Sequence, residues 1–257
     1  MALSSLVAIG FLNAIAFQVG SSIDELGFSG ALANTFGVSV IVWVAMAITL
    51  DLLRREPDRA PTRNEERVFL GLAVIFLLPV KFVAWIGLAL LALEIVAKAD
   101  KGSSAAKGGW ILLAITVPMF WSKLVFSLFS TLLLQADTML VSLVLGLERM
   151  GNVITLADGH TRLWIAAHCS SVANVSLTVL GWVLFQQLAG PRRAPGLGWC
   201  ALCCGLIVAL NAARICLMGL FPQHYDLLHG AVGAGVASWL MVGTVFGTLS
   251  YGARRVA

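Results

Sequence analysis

Long apolar runs, separated by short polar loops, follow one another along the whole chain. Residues 4–20 and 30–53 form the first two runs, and 163–189, 197–221 and 228–251 form the last three. Each run is close to the roughly 17 to 25 residues that a helix needs to cross a bilayer. Because the runs are continuously apolar, without alternation of polar and apolar positions, they predict helices and not the strands of a barrel. The pattern therefore predicts an all-α, polytopic membrane helix bundle.

Two stretches between these runs have more than one interpretation. Residues 68–97 form either one tilted helix kinked at Pro79 or a hairpin that turns at 79–81. Residues 109–146 form either a single span or a hairpin that turns at 121–124. Lysines in the loop between the two stretches favour a hairpin for residues 68–97 and a single span for residues 109–146. Either choice crosses the membrane three times, so about eight transmembrane helices are expected.

Basic loops set the expected orientation. Five arginines lie in the loop 54–67, and the loop 190–196 and the tail 251–257 are also basic. Because loops rich in Lys and Arg stay in the cytoplasm, both termini are predicted to be cytoplasmic. The first run lacks the basic flank and the cleavage site of a signal peptide, so we interpret it as a retained span.

Composition agrees with this picture. The chain is 59% hydrophobic and 12% charged, whereas soluble proteins carry about 25% charged residues. The formal net charge of +4 follows from the orienting loops and requires no nucleic-acid partner. We expect one integral-membrane domain, residues 1–257, in the cytoplasmic (inner) membrane and in contact with its lipids.

Several polar residues gather at the outer side of this predicted topology. Cys169 lies about six residues inside its span, roughly 9 Å deep, and Arg214 lies about seven residues before its span ends. Asn211 shares a helical face with Arg214, and His229 opens the last span. Asp137 is a second intramembrane charge at comparable depth, and such charges are costly unless they are paired, so we expect it to pair with Arg214.

Cysteine, histidine and arginine together suit acyl transfer. The Cys169 thiolate is a nucleophile, an imidazole takes and returns a proton, and a guanidinium stabilises an oxyanion. His229 is preferred as the base over His168, because neighbouring residues of a helix do not face each other. His224, in the preceding loop, is a substitute.

The stretch 132–175, together with "NAARI" (211–215) and "HGAVG" (229–233), resembles the core of the exosortase/archaeosortase family. That family shows a leucine-rich span, a small outer element and a cysteine in a C-S-G-type motif, followed by N-x-x-R and H-x-x-x-G motifs. The resemblance covers roughly residues 110–250, the implied catalytic core. The chain departs from the family at Ser171, usually glycine, and at Ala173, often a second arginine, which leaves the recognised sorting motif open.

The resemblance implies a membrane-embedded cysteine transpeptidase whose site faces the periplasm or exterior. Its substrates would be secreted proteins with a C-terminal signal: a short motif such as Pro-Glu-Pro, a transmembrane helix and a basic tail. It implies that Cys169 is the nucleophile, Arg214 the oxyanion or substrate ligand, and His229 the acid/base. The expected supporting or substrate-binding residues are Asn211, Ser170, Asp137 and His224. No cofactor is expected.

Rival functions belong to other classes. "CALCC" (200–204) contains a C-x-x-C spacing, but it lies at the predicted inner end of its span, where a dithiol oxidant is not expected. A transporter or a non-catalytic assembly protein is the main alternative, because intramembrane charges also mark transport paths. The histidines show no H-E-x-x-H pattern, so no metal site is predicted.

Overall fold

The computed structural model describes residues 2–56, 62–189 and 194–256, so parts of two predicted cytoplasmic loops, 57–61 and 190–193, lie outside the described residues. The chain forms two compact units, Met1–Phe120 and Trp121–Ala257. Helices dominate both, which confirms the predicted all-α class. The second unit also contains a small sheet that was not predicted.

The helices of the first unit are α1 (Ala2–Ala33), α2 (Val40–Arg54), α3 (Arg63–Leu77), α4 (Lys81–Lys98) and α5 (Ser104–Thr116), with a 3₁₀ turn at Thr35–Gly37. Phe76 of α3 is almost fully buried. A Cβ atom added at Gly10 of α1 or at Gly87 of α4 would lie 2.7–2.8 Å from its ring. Glycine at both positions therefore lets the two helices close over one aromatic side chain.

The two ambiguous stretches have different outcomes. The chain breaks around Pro79 into α3 and α4, which contact each other, so the hairpin interpretation is confirmed. The stretch Ser104–Leu145 is one helical run without a turn at 121–124. A π-helical segment, Val117–Trp121, replaces the turn. Pro118 lies in this segment, and local widening of a helix accommodates a residue that lacks a backbone N–H.

In the second unit, the helix Leu197–Leu220 contacts several of the others. Its elements are α6 (Ser122–Leu145), β1 (Arg149–Met150), β2 (Val153–Thr155), β3 (Arg162–Trp164), a 3₁₀ turn (Ala167–Cys169), α7 (Val172–Ala189), α8 (Leu197–Leu220), a 3₁₀ turn (Pro222–His224), α9 (Tyr225–His229) and α10 (Ala231–Val256). Helix α8 packs against α6, α7 and α10. Side chains that project from α8 therefore reach several neighbouring elements.

A three-stranded antiparallel sheet joins α6 to α7, in the order β1-β2-β3. Ile154 pairs with Leu163, and both are buried with Cys169 in one apolar cluster. Arg162 and Trp164, on either side of Leu163, are exposed, which is the alternation of a half-buried strand. The predicted start of a helix at residue 163 is therefore wrong, because α7 begins only at Val172.

Within the described part of the chain, five stretches are long and apolar enough to cross a membrane: Leu3–Ala33, Ser104–Leu145, Ala167–Ala189, Leu197–Leu220 and Val232–Arg255. Helices α2 and α3 are shorter, at 15 residues each, and α4 carries charged residues near both ends. The long apolar helices support the predicted membrane character of the protein.

Candidate functional site

Cys169 lies in a tight turn ahead of α7. Its N–H donates to the carbonyl of Ala166 at 2.9 Å, and its own carbonyl accepts a hydrogen bond from the side-chain amide of Asn211 at 2.7 Å. The Cys169 residue is 7% exposed and Asn211 only 2%. Asn211 therefore ties α8 to the backbone of the cysteine.

The buried carboxylate of Asp137 holds the residues that follow the cysteine. It accepts hydrogen bonds from the hydroxyl of Ser170 at 2.9 Å and from the N–H and hydroxyl of Ser171 at 3.1 and 2.7 Å. Three hydrogen bonds from two adjacent residues thus converge on one carboxylate. The predicted ion pair with Arg214 is wrong: none joins the two among the described residues, since Asp137 is already fully engaged by the two serines.

Asp137 also acts where α7 begins. Helix α7 starts one residue after Ser171, and the first N–H groups of a helix have no partner inside it. A negative charge near these groups is favourable, because the helix dipole is positive at its N-terminus. The Ser171 hydroxyl supplies one of the three donors to Asp137, a contact that a glycine at this position would lack.

Two histidines meet beside the thiol. The Nε2 atoms of His168 and His229 are 3.0 Å apart, and their rings pack edge to face. One nitrogen of each imidazole and the Sγ of Cys169 all lie within 4.8 Å of one another. Both histidines thus lie close to the thiol, and the preference for His229 over His168 as the base stays a prediction.

Arg214 holds the segment that carries His229. Its Nε and Nη2 atoms donate to the carbonyl of Leu228, both at 3.3 Å, and Nη2 also approaches the carbonyl of His229 at 3.5 Å. These carbonyls end the short helix α9, whose last carbonyls lack partners inside the helix. Arg214 is therefore a positioning residue for His229, and its predicted contact with an oxyanion stays a prediction.

Gly233 and Tyr225 complete the surroundings of His229. A Cβ atom at Gly233 would lie 2.5 Å from the carbonyl oxygen of Leu227 and 2.4 Å from that of Leu228. The glycine of the H-x-x-x-G spacing therefore lets α10 start close against the end of α9. The ring of Tyr225 stacks on His229, with centroids 5.1 Å apart. Tyr225 was not predicted, and its i,i+4 spacing to His229 on α9 is the sequence signal that identifies it.

The remaining candidates lie apart from the thiol. His224 is exposed at the end of a 3₁₀ turn, and its imidazole makes no hydrogen bond or ring contact with the described residues. Cys203, from the C-x-x-C spacing, is fully buried in a different apolar cluster of α8 and α10. The structure thus brings together Cys169, His168, His229, Asn211, Arg214, Ser170 and Asp137.

The arrangement can perform proton transfer at a thiol. Two imidazole nitrogens lie near Sγ, and one histidine is exposed and the other half-buried. The side chains of Asn211 and Asp137 hold the Cys169 carbonyl and the Ser171 N–H that follows it. The chain matches no protein-family model, no curated protein and no solved structure. The functional proposal therefore depends on the chemistry of this site.

We predict that Gly233→Ala lowers the thermal stability of the purified protein, by about 1–3 kcal/mol in the free energy of unfolding, because the added methyl group meets two carbonyls. Gly235→Ala is the matched control, since a Cβ there meets nothing within 4 Å. Its expected effect is neutral to slightly stabilising, because alanine is the better helix former. Thermal melts in detergent compare the two, and equal melting temperatures would contradict the close approach.

We predict that Asp137→Ala loosens the cysteine turn, because it leaves three donors without their acceptor at about 1–3 kcal/mol for each buried group. The expected result is a lower melting temperature and a several-fold faster alkylation of Cys169 by a maleimide, measured by intact mass. Asp100→Ala, at an exposed position, is the control. Alkylation of Cys169 at the same rate in both variants would show that the carboxylate does not hold the turn.

Proposed function

We propose that this protein is a membrane-embedded cysteine transpeptidase or peptidase of the exosortase type. The observation that supports this most is the position of the Cys169 Sγ, within 4.8 Å of a ring nitrogen of both His168 and His229. A thiol and an imidazole in such proximity form the nucleophile and base pair of acyl transfer. The turn that carries the thiol is held by Asn211 and Asp137, which suits a preorganised nucleophile.

The reaction proceeds through an acyl-enzyme. His229 takes the thiol proton, and Sγ attacks the carbonyl carbon of the scissile peptide bond to form a tetrahedral oxyanion. Collapse of this species breaks the C–N bond, and the imidazolium returns its proton to the leaving amine. An acceptor nucleophile, or water, then attacks the thioester, loses its proton to His229 and releases Cys169.

Arg214 is suited to serve the oxyanion as well as the backbone. Its Nε and Nη2 atoms are engaged by carbonyls, whereas Nη1 donates no hydrogen bond to the described residues. A guanidinium carries five N–H donors in a fixed fork, so those on Nη1 remain for a substrate oxygen. His168 shares the positive charge that develops on His229, through the 3.0 Å contact between their Nε2 atoms.

We further propose eight spans with both termini in the cytoplasm. The eight are α1, α2, α3, α4, the stretch Ser104–Leu145, α7, α8 and α10. The basic loops 54–67 and 190–196 would then be cytoplasmic, and the sheet and α9 would face outward with the thiol. The substrates are secreted proteins that are cleaved at the outer face of the inner membrane. Their C-terminal signal combines a short motif, one transmembrane helix and a basic tail.

A transporter or a non-catalytic assembly protein is the second candidate. Intramembrane charges support it, but Asp137 and Arg214 are both occupied by hydrogen bonds to their own chain. Charges used in this way stabilise a local structure, whereas charges of a transport path face a passage. The contacts therefore favour the enzyme.

We predict that Cys169→Ala abolishes removal of the tail from a co-expressed, tagged substrate that carries such a C-terminal signal, because the nucleophile is lost. His229→Ala is expected to slow the removal by about 10²- to 10⁴-fold, the usual contribution of a general acid/base. Intact mass of the substrate measures the removal and identifies the acceptor.

Cys216→Ala is the matched control, because Cys216 is a buried thiol of the same apolar cluster as Cys169. It should process the substrate like the unaltered protein. Equal processing by the Cys169→Ala variant would eliminate the cysteine mechanism and favour the transporter or assembly protein.

We predict that Met150→Cys, on the exposed β1 strand, reacts with a membrane-impermeant maleimide in intact bacterial cells. Lys101→Cys, in the exposed loop before α5, should react only after the cells are permeabilised. The reverse pattern would invert the proposed topology, and labelling of both in intact cells would contradict the assigned number of spans between them.

A further inference from the structure

Two imidazoles and a thiol that converge form a set of metal ligands as well as an acid–base system. The two Nε2 atoms are 3.0 Å apart, and the ligand atoms of His168, Cys169 and His229 all lie within 4.8 Å of one another. A tetrahedral Zn²⁺ ion, with bonds of roughly 2.0 Å to nitrogen and 2.3 Å to sulfur, separates its ligands by about 3.3–3.6 Å. Shifts of about 1 Å or less in the side chains therefore place the three ligand atoms at three corners of such a tetrahedron.

The donor types restrict the ion. A thiolate and neutral imidazoles select borderline or soft ions such as Zn²⁺ or Cu⁺, whereas Ca²⁺ and Mg²⁺ require oxygen ligands. Three protein ligands leave a fourth position open for water. His168 is exposed and His229 half-buried, so an ion reaches the cluster from its histidine side, while Cys169 closes the buried side.

The surrounding residues hold the ligands in place without occupying them. Asn211 binds the carbonyl of Cys169 and Arg214 binds carbonyls of α9, so neither contact uses a ligand atom. The Arg214 guanidinium disfavours additional positive charge nearby, and the anionic thiolate offsets one of the two charges of the ion. Such a balance favours reversible binding over a permanent structural site.

We propose that His168, Cys169 and His229 form a reversible binding site for Zn²⁺ or a similarly thiophilic ion. Binding releases the thiol proton, forms an S–metal bond and places both imidazoles on the ion. The ion then blocks the nucleophile and both bases at once. This inhibitory consequence depends on the proposed function, whereas the binding itself does not.

Co²⁺ is the probe, since it takes the place of Zn²⁺ and its bond to a thiolate absorbs in the near ultraviolet. We expect Co²⁺ to give this absorption with the purified full chain in detergent, and a slight excess of Zn²⁺ to remove it, because zinc binds such sites more tightly than cobalt. Cys169→Ser should lose the absorption while the protein still folds with a cooperative thermal transition, because Asn211 binds the backbone carbonyl and not the thiol. Cys216→Ser and His224→Ala, which alter none of the three proposed ligands, should keep the cobalt–thiolate absorption.

A second measurement tests the histidines while the thiol is present. Zn²⁺ should protect Cys169 from alkylation by a maleimide, and EDTA should restore the reaction. His168→Ala and His229→Ala should each require at least tenfold more Zn²⁺ for half-protection, because one ligand is missing. His224→Ala is again the control.

The proposal is overturned if the unaltered protein gives no cobalt–thiolate absorption, if Cys169→Ser keeps it, or if both histidine variants are protected like the unaltered protein. Neither measurement uses processing of a substrate. Loss of the metal site with intact thiol-dependent processing would remove only this inference, and metal binding with processing that is indifferent to Cys169→Ala would remove only the proposed function.

Discussion

The second unit depends on one buried carboxylate. Asp137 projects from α6, a helix of leucines and other apolar residues, where an ionised group without partners is expensive. The cost is offset only when Ser170 and Ser171 fold toward it, because they supply all three hydrogen bonds. This requirement fixes where α7 begins and prevents the chain from continuing the helix back through Cys169. The cysteine is left in a turn, with its thiol beside two imidazoles.

Arg214 imposes the matching constraint from α8. Its guanidinium requires acceptors within an apolar helix, and the carbonyls at the end of α9 provide them. One of them, the carbonyl of Leu228, also lies close against Gly233, where a side chain would clash with it. Two intramembrane charges, placed on different helices, thus each order a short segment, and the two segments carry Cys169 with His168 and His229. The two segments are joined by the contact between His168 and His229 and by the hydrogen bond from Asn211 to the Cys169 carbonyl.

Much of this architecture could be predicted from the sequence. Long apolar runs indicate helices by composition alone, and Pro79 indicates the break between α3 and α4. The convergence of Cys169, Asn211, Arg214 and His229 followed from alternating the direction of successive spans. The sheet could not be predicted, since strands of two or three residues give too short an alternation to distinguish from the end of an apolar run. The partners of Asp137 were missed for a related reason. Ser170 was expected as a supporting residue, but only the turn directs its hydroxyl, and the hydroxyl and N–H of Ser171, to the carboxylate.

His168 belongs to the site through its contact with His229. Consecutive side chains diverge by about 100° in an α-helix and by about 120° in a 3₁₀ turn, so His168 and Cys169 leave the backbone in different directions. The Nε2 atoms of His168 and His229 are nevertheless 3.0 Å apart, and a ring nitrogen of His168 lies within 4.8 Å of the thiol. The proposed acyl transfer and the proposed metal site use the same three side chains, because both tasks need lone pairs aimed at one point. A thiophilic ion bound there would compete with proton transfer at the thiol, and its affinity would depend on the charge of Arg214 and on the spacing of the ligands.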